Sequence, residues 1–149
     1  MSQAENGFEL HPQLAKDCFV VGDLPLDRVL LMNDANYPWL VLVPRRAGLR
    51  ELHELEETDL GQFWRESAEV GRRLMAHFGG GKFNVAALGN QVPQLHVHHV
   101  VRHAKDAAWP RPIWGVVPAV PYTREQVVER CGTLAALLAS AGCIPAAAG

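Results

Sequence analysis

The sequence predicts an α+β fold with about five strands in a mainly antiparallel sheet, one long central helix and a C-terminal helix. Three observations lead to this prediction. Short runs of β-branched and aliphatic residues are separated by turn-forming residues, as expected for adjacent antiparallel strands. One long segment, residues 54–78, has apolar residues at spacings of three and four. A capping-box sequence, Thr123-Arg-Glu-Gln126, predicts the start of a last helix.

The chain length fits one domain. With 149 residues, of which 48% are hydrophobic, the chain can bury a substantial core. We therefore treat residues 1–149 as a single domain. Within it we expect a core at residues 18–102, a loop rich in proline and tryptophan at 103–121, and a C-terminal helix within 122–142.

The N-terminal part of the chain predicts one short helical turn and three strands. The turn covers residues 12–16, and the strands cover residues 18–21, 27–32 and 39–43. The second and third strands are separated by Asn-Asp-Ala-Asn-Tyr-Pro, which is dense in turn-forming residues. We expect these two strands to form a hairpin.

The two long helices have clear boundary signals. Thr58 is the predicted N-cap of the central helix, and Gly79-Gly80-Gly81 predicts its end. The apolar residues that define this helix are Leu60, Phe63, Trp64, Ala68, Gly71, Leu74, Met75 and Phe78. The last helix runs from Thr123 to about residue 140, with Gly142 after it.

Residues 82–88 and 92–102 predict the fourth and fifth strands, and the fifth is rich in histidine. Three of the seven histidines fall within four consecutive positions. Because strand side chains alternate between faces, one face carries Gln94, His96, His98 and Val100, and the other carries Leu95, Val97, His99 and Val101. At a rise of about 3.3 Å per residue, His96 and His98 lie about 7 Å apart along the strand. Two imidazoles at that separation can converge on one small anionic group, such as a phosphate.

The histidine-rich strand and the loop before it resemble a known signature. Gly89-Asn90-Gln91-Val92-Pro93-Gln94-Leu95-His96-Val97-His98, followed by Arg102, is similar to the motif of the histidine triad (HIT) family of nucleotidyl hydrolases and transferases. That motif is His-φ-His-φ-His-φ-φ, with φ apolar, after a Gly-Gln-Ser/Thr-Val loop. An ungapped alignment places Gln94, His96 and His98 at the three histidine positions. The other alignment places His96, His98 and Val100 there. In both, one histidine is missing and His99 stands at an apolar position, so the triad is a variant.

The resemblance implies a fold and a mechanism. The family fold is a five-stranded antiparallel sheet with helices on one side, usually in a two-fold dimer. By resemblance, His96 attacks phosphorus and forms a covalent nucleotidyl-histidine intermediate, and a backbone carbonyl near His98 orients it. His98 donates to a non-bridging phosphate oxygen. Gln94 can form hydrogen bonds at the first triad position, but it cannot ionise. No cofactor and no metal are required.

The resemblance also implies substrate-binding residues. Asn33 corresponds to an asparagine that contacts the ribose, and Asn84 to one near the bound phosphate. An ordinary turn asparagine and a strand amide bonded to backbone explain these two residues equally well. The small polar loop Gly89-Asn90-Gln91 supplies neutral hydrogen-bond donors to the phosphate. Further candidates are His99, Arg102 and Lys105; the last two, with Arg111, would meet outer phosphates if the loop at 103–121 folds over the site.

Three functions fit the sequence. The first is a hydrolase or transferase that acts on nucleoside 5′-phosphate derivatives, such as dinucleoside polyphosphates or nucleoside phosphoramidates. The second is a nucleotide-binding module whose triad no longer turns over, which the glutamine at position 94 favours. The third is a metal site built from His96, His98 and either His99 or His103, although no Cys, Asp or Glu stands at ligand spacing nearby.

The net charge and the cysteine content limit the kinds of partner and the cellular compartment that we expect. A net charge of −2 gives no reason to expect nucleic-acid binding, and no apolar stretch approaches the ~20 residues of a membrane helix. Three widely spaced cysteines without a CxxC pair predict reduced thiols. Residues 1–6 lack the basic start and apolar run of a signal peptide. We therefore expect a cytoplasmic protein whose partners are a nucleotide and a second copy of the chain, with neither nucleic acid nor membrane.

Overall fold

The computed structural model describes residues 7–147 and contains one antiparallel sheet flanked by helices. In chain order the elements are α1 (Pro12–Asp17), β1 (Cys18–Asp23), β2 (Asp27–Met32), β3 (Trp39–Pro44), α2 (Glu57–Phe78), β4 (Lys82–Ala86), β5 (Val97–Arg102), α3 (Arg124–Leu138) and β6 (Ile144–Pro145). The strand order is β4-β5-β3-β2-β1-β6. The predicted α+β class with an antiparallel sheet is confirmed, with six strands instead of five. The sixth, β6, has only two residues, too few for a periodic pattern.

The structure agrees with the sequence at the start of α3 and at the end of α2, and differs at the start of α2. In α3, the Thr123 side chain accepts from the Gln126 backbone N–H and the Gln126 side chain accepts from that of Thr123, so the predicted capping box is confirmed. The helix α2 ends at Phe78, where Gly79 takes the left-handed conformation with φ of 66°. The predicted N-cap of α2, Thr58, was wrong: the helix begins at Glu57 with Glu56 as N-cap, and Leu52–Glu54 forms a separate 3₁₀ turn before it.

The histidine-rich strand is shorter than predicted. Residues 92–96 lie outside the sheet, and β5 begins at Val97. Pro93 has no backbone N–H to donate to a neighbouring strand. The N–H of Leu95 donates to the carbonyl of Leu49, which lies in a loop. His96 therefore lies in extended chain immediately before the strand, whereas His98 lies within it. The strand β4 also ends early, at Ala86 instead of residue 88.

Both faces of the sheet are covered. One face packs on α2 and α3, with a core that includes Leu42, Val97, Phe63 and Leu134. The opposite face, called here the loop-covered face, packs on α1 and on the segment that follows β5. Its buried apolar residues are Leu14, Cys18, Leu30, Tyr37, Trp39, Val41, Val43, Val100, Ala108 and Ile113. Within residues 7–147, no helix has both the length and the apolar character that spanning a membrane requires.

Candidate functional site

His96 and His98 lie side by side on the loop-covered face. Their ring centroids are 5.2 Å apart, with the ring planes inclined at 77°. The strand alternation predicted this shared face. Both rings are largely buried, with 7% of His96 and 5% of His98 exposed. A ligand that reaches them must therefore pass the segments that cover this face.

The tautomer of His96 is set by a backbone carbonyl. Its Nδ1 lies 2.7 Å from the carbonyl oxygen of Gln94. A carbonyl can only accept, so Nδ1 carries the proton and the neutral ring has its lone pair on Nε2. An orienting carbonyl was predicted near His98, and that position was wrong: the carbonyl belongs to Gln94, two residues before His96.

His98 has the opposite arrangement of donor and acceptor. The indole Nε1–H of Trp39 donates to its Nδ1 at 3.0 Å, so the proton of the neutral imidazole sits on Nε2. Burial, with smaller contributions from His96 and His99, lowers the pKa of His98 from 6.5 to about 4. The ring is therefore a neutral Nε2–H donor at physiological pH. The pair thus places a lone pair on His96 beside an N–H donor on His98.

The Gln94 side chain binds the N-terminal segment of the chain. Its Oε1 accepts from the backbone N–H of His11 at 2.8 Å, and its Nε2 donates to the carbonyl of Glu9 at 2.8 Å. The expectation that this amide acts toward a substrate in place of a triad histidine is therefore not supported by the structure, because both ends of the amide have protein partners. Gln94 instead acts through its backbone carbonyl, on His96.

Asn33 and Asn84 both use their side-chain oxygens within the protein. The Asn33 oxygen accepts from the N–H of Tyr122 at 2.9 Å and so attaches the β2–β3 loop to the start of α3. The Asn84 oxygen accepts from Nη1 of Arg102 at 2.9 Å. The Asn33 contact fits the turn asparagine that the sequence left open, whereas the partner of Asn84 is an arginine side chain and not the backbone group that its alternative named.

Arg102 is also committed to the protein. It is 1% exposed and forms a two-pronged ion pair with Asp106, with N–O distances of 2.7 and 3.0 Å. The Arg102 hydrogen bond is the main reason that the pKa of Asp106 falls from 3.8 to about 2. The prediction that Arg102 meets outer phosphates was wrong, since its guanidinium is enclosed. Lys105 and Arg111 are exposed.

His99 lies on the face of the sheet that packs on α2. It is fully buried, with Nδ1 donating to the carbonyl of Val97 at 2.9 Å and Nε2 within 2.7 Å of the Ser67 hydroxyl. Burial lowers its pKa to about 4. His99 is thus separated from His96 and His98 by the sheet and is a neutral core residue, which removes it from the candidate site.

The loop before the histidines adopts a turn that requires glycine. Gly89 has φ of 68°, in the left-handed region that side chains disfavour. Asn90 and Gln91 are exposed. Their amide groups are thus placed at the surface, while Val92 packs into the loop-covered face.

Two tryptophans, which were not predicted as site residues from the sequence, lie against His98 in the site. Trp39 and Trp114 lie 5.6 and 5.2 Å from the ring centroid of His98, and 6.1 Å from each other. Trp39 could be recognised from strand pairing. In the sheet, β3 pairs with β5 so that Trp39 lies opposite Val100, which is two residues from His98 and on the same face. The loop that carries Trp114 has no such periodic signal.

A metal centre would need a cluster of ligating side chains. Across residues 7–147, no group of three or more His, Cys, Asp or Glu side chains is arranged to hold a metal ion. The His99 ring, one of the ligands that this alternative needed, faces the other side of the sheet.

Comparison with known proteins identifies similar chains. The family model described as the HIT domain matches residues 13–105. A solved histidine triad protein from Marinobacter aquaeolei VT8 is 48% identical, with 91% of this chain and 98% of that chain covered and a TM-score of 0.88. A histidine triad protein from Bradyrhizobium japonicum is 46% identical, covering 85% and 95%, with a TM-score of 0.82. One from Sinorhizobium meliloti is 38% identical, covering 87% and 96%, with a TM-score of 0.84. A search of curated proteins found no match.

Proposed function

Because the chain belongs to the histidine triad (HIT) family, we propose that it binds nucleotides and hydrolyses or transfers them at the α-phosphate of nucleoside 5′-phosphate derivatives. The observation that carries the proposal is the pair of complementary tautomers. His96 presents a lone pair on Nε2, and the adjacent His98 presents an N–H. An attacking nitrogen and a donor for phosphate oxygens are the two groups that this reaction requires.

In the proposed reaction, Nε2 of His96 attacks the α-phosphorus. A phosphorus–nitrogen bond forms and the bond to the leaving group breaks, with its electron pair leaving on that group. The Nδ1–H of His96 keeps its bond to the Gln94 carbonyl, which stabilises the positive charge on the nucleotidyl-imidazole. His98 donates its Nε2–H to a non-bridging oxygen. Water then attacks phosphorus, releases the nucleoside monophosphate with loss of a proton, and returns neutral His96.

The Gln94 side chain limits the leaving groups that we expect. An amide cannot supply a proton, and this amide is bonded to Glu9 and His11. A polyphosphate leaves as a stable anion, whereas an amine needs a proton as it leaves. We therefore expect dinucleoside polyphosphates to be better substrates than phosphoramidates. The exposed Lys105 is our candidate for contact with the outer phosphates.

For the rest of the substrate we keep the candidates that the resemblance implies. Gly89, Asn90 and Gln91 would donate to the α-phosphate through backbone and amide N–H groups. Asn33 and Asn84 would contribute their Nδ2 groups to ribose and phosphate, since their oxygens have protein partners.

A second candidate function is nucleotide binding without turnover. It is favoured by the small exposed fractions of His96 and His98, 7% and 5%, and by the two hydrogen bonds that the Gln94 amide makes to the protein. Turnover would require the covering segments to move, as lids do in many enzymes.

We also propose a two-fold homodimer in the cytoplasm. The strand β4 lies at one end of the sheet and exposes Val85 by 41%, which supports pairing with a second copy. Cys18, Cys131 and Cys143 are free thiols, as in proteins of a reducing compartment. Size-exclusion chromatography with light scattering would test the dimer, and a monomer at micromolar concentration would contradict it.

The function is tested by mixing the protein with a dinucleoside polyphosphate, and separately with adenosine phosphoramidate, and measuring release of nucleoside monophosphate. We expect His96→Ala to abolish release. His53→Ala is the matched control, because His53 is exposed and outside the site, and it should retain wild-type activity. Calorimetry that shows nucleotide binding without product would decide for the second candidate. Full activity in His96→Ala would contradict the catalytic assignment.

A further inference from the structure

Trp39 makes a hydrogen bond that determines the state of His98. Trp39 is 8% exposed and begins β3. Its indole Nε1 lies 3.0 Å from Nδ1 of His98. An indole N–H can donate but never accept, so His98 must present a lone pair on Nδ1. The two residues are 59 positions apart in the chain, and the pairing of β3 with β5 brings them together.

The surroundings of His98 hold its ring in this orientation. The ring contacts Trp39 with planes inclined at 56° and Trp114 at 73°, and Trp39 packs edge-on against Trp114 at 89°. Rotation of the imidazole would disrupt contacts with the buried ring of Trp39 and with the ring of Trp114, which is 36% exposed. The orientation of the acceptor nitrogen is therefore a property of the fold.

We propose that Trp39 is a positioning residue that fixes His98 as the Nε2–H tautomer and keeps it uncharged, so that its role is that of a neutral donor to phosphoryl oxygens and never that of a proton carrier. The catalytic part of this inference rests on the proposed function; the tautomer itself does not. The sequence resemblance assigns no role to a tryptophan at this position.

The bond to Trp39 opposes protonation of His98. In the imidazolium, Nδ1 would carry a hydrogen that points at the indole N–H, and the bond would be replaced by repulsion between two donors. The elements packed against His98 offer no charge to compensate: β3 contributes Trp39 and Val41, β4 contributes Ala86, and the loop contributes Trp114. The titratable neighbours are His96 on the same face and His99 on the other, and both lower the pKa of His98.

The tautomer can be measured directly by nitrogen NMR on the full chain labelled with ¹⁵N. In the wild type we expect Nδ1 of His98 to have the shift of an unprotonated nitrogen and Nε2 that of a protonated one, unchanged between pH 5.5 and 8. A scalar coupling between Trp39 Nε1 and His98 Nδ1 across the hydrogen bond should also be detectable. Protonated Nδ1 in the wild type would overturn the proposal. This measurement needs no variant, so it does not depend on how any variant folds.

Two variants isolate the hydrogen bond from ring packing. Trp39→Phe keeps an aromatic ring and removes the N–H, and Trp114→Phe removes a similar amount of ring without touching the bond. We expect Trp39→Phe to mix the two tautomers of His98 and to raise its pKa, whereas Trp114→Phe keeps the wild-type tautomer. An unchanged tautomer and pKa in Trp39→Phe would overturn the proposal.

The catalytic consequence has its own measurement. We expect kcat of Trp39→Phe to fall about tenfold, the scale of one lost hydrogen bond, and to gain a dependence on pH in the range where His98 now titrates. An unchanged kcat and pH profile would overturn the catalytic role of the bond. If the wild type releases no nucleotide although the coupling is present, the proposed function fails and the tautomer assignment stands.

Discussion

The sharpest stability prediction concerns the buried ion pair between Arg102 and Asp106. Arg102 is 1% exposed, and its partner's carboxylate is 6% exposed. The same carboxylate also accepts from backbone N–H groups of His103, Ala108 and Trp109, so it organises the start of the covering loop. Replacing Asp106 with Asn leaves the guanidinium charge buried with weaker acceptors.

The expected cost of Asp106→Asn is about 3 kcal/mol, since removing one partner of a buried pair strands the other charge. Asp59→Asn is the matched control. Asp59 makes a similar two-pronged pair with Arg46, at 2.7 and 3.0 Å, but the two side chains are 22% and 17% exposed. Such a pair should contribute at most about 1 kcal/mol.

Urea denaturation at pH 7, followed by tryptophan fluorescence, gives the free energy of unfolding of each variant. Two variants that lose the same amount, within about 0.5 kcal/mol, would refute the argument from burial.

The same ion pair has a defined pH dependence. The folded-state pKa of Asp106 is about 2, below its ordinary value of 3.8. Because the folded pKa is depressed, the carboxylate stabilises the fold fully above the unfolded pKa, and this contribution is lost as the pH falls toward 2. The difference between wild type and Asp106→Asn should therefore be constant from pH 7 to about 5 and shrink below pH 4. A difference that grows on acidification would contradict the assignment.

Three further variants test other contacts. Gln94→Ala should cost about 1–2 kcal/mol and increase hydrogen exchange in the N-terminal residues that its amide binds; unchanged exchange would show that the amide does not hold them. Ser67→Ala should cost about 1–3 kcal/mol in urea unfolding, because Nε2 of the buried His99 loses its partner, and a cost near zero would contradict that bond. Asp27 is fully buried beside Glu66, and burial, then the Glu66 charge, raises its pKa well above 3.8. Its raised pKa destabilises the fold increasingly as the pH rises above the unfolded value, so Asp27→Asn should gain stability relative to wild type between pH 4 and 7; a relative loss would contradict this.

Structural features that depend on residues close together in the chain were predicted correctly from the sequence. Alternation along the strand correctly placed His96 and His98 on one face and His99 on the other. The capping box at Thr123 and the glycine stop after Phe78 were also correct. Each of these features depends on residues within four positions of one another, so the sequence carries the information directly.

The features that were missed depend on residues far apart in the chain. The Gln94 amide binds residues 83 and 85 positions away, and the His98 tautomer depends on a tryptophan 59 positions away. The strand β5 begins at Val97, later than predicted, and the backbone N–H of Leu95 before it donates to Leu49, which is distant in the chain. Such contacts form when complete helices, strands and loops pack together. The spacing of residues along the sequence gives no information about them. Arg102 was expected to meet outer phosphates, but the fold of the loop after β5 brings Asp106 against its guanidinium.

Detection of the covalent intermediate on His96 is the most direct test of the proposed reaction. The protein is mixed with a dinucleoside polyphosphate, quenched in acid-free denaturant within the first turnover, digested and examined by mass spectrometry. We expect a nucleotidyl group on the imidazole of His96 in the peptide that contains this residue, and no such group in His96→Ala. Product release by the wild type with no adduct on that peptide, together with an active His96→Ala variant, would contradict it.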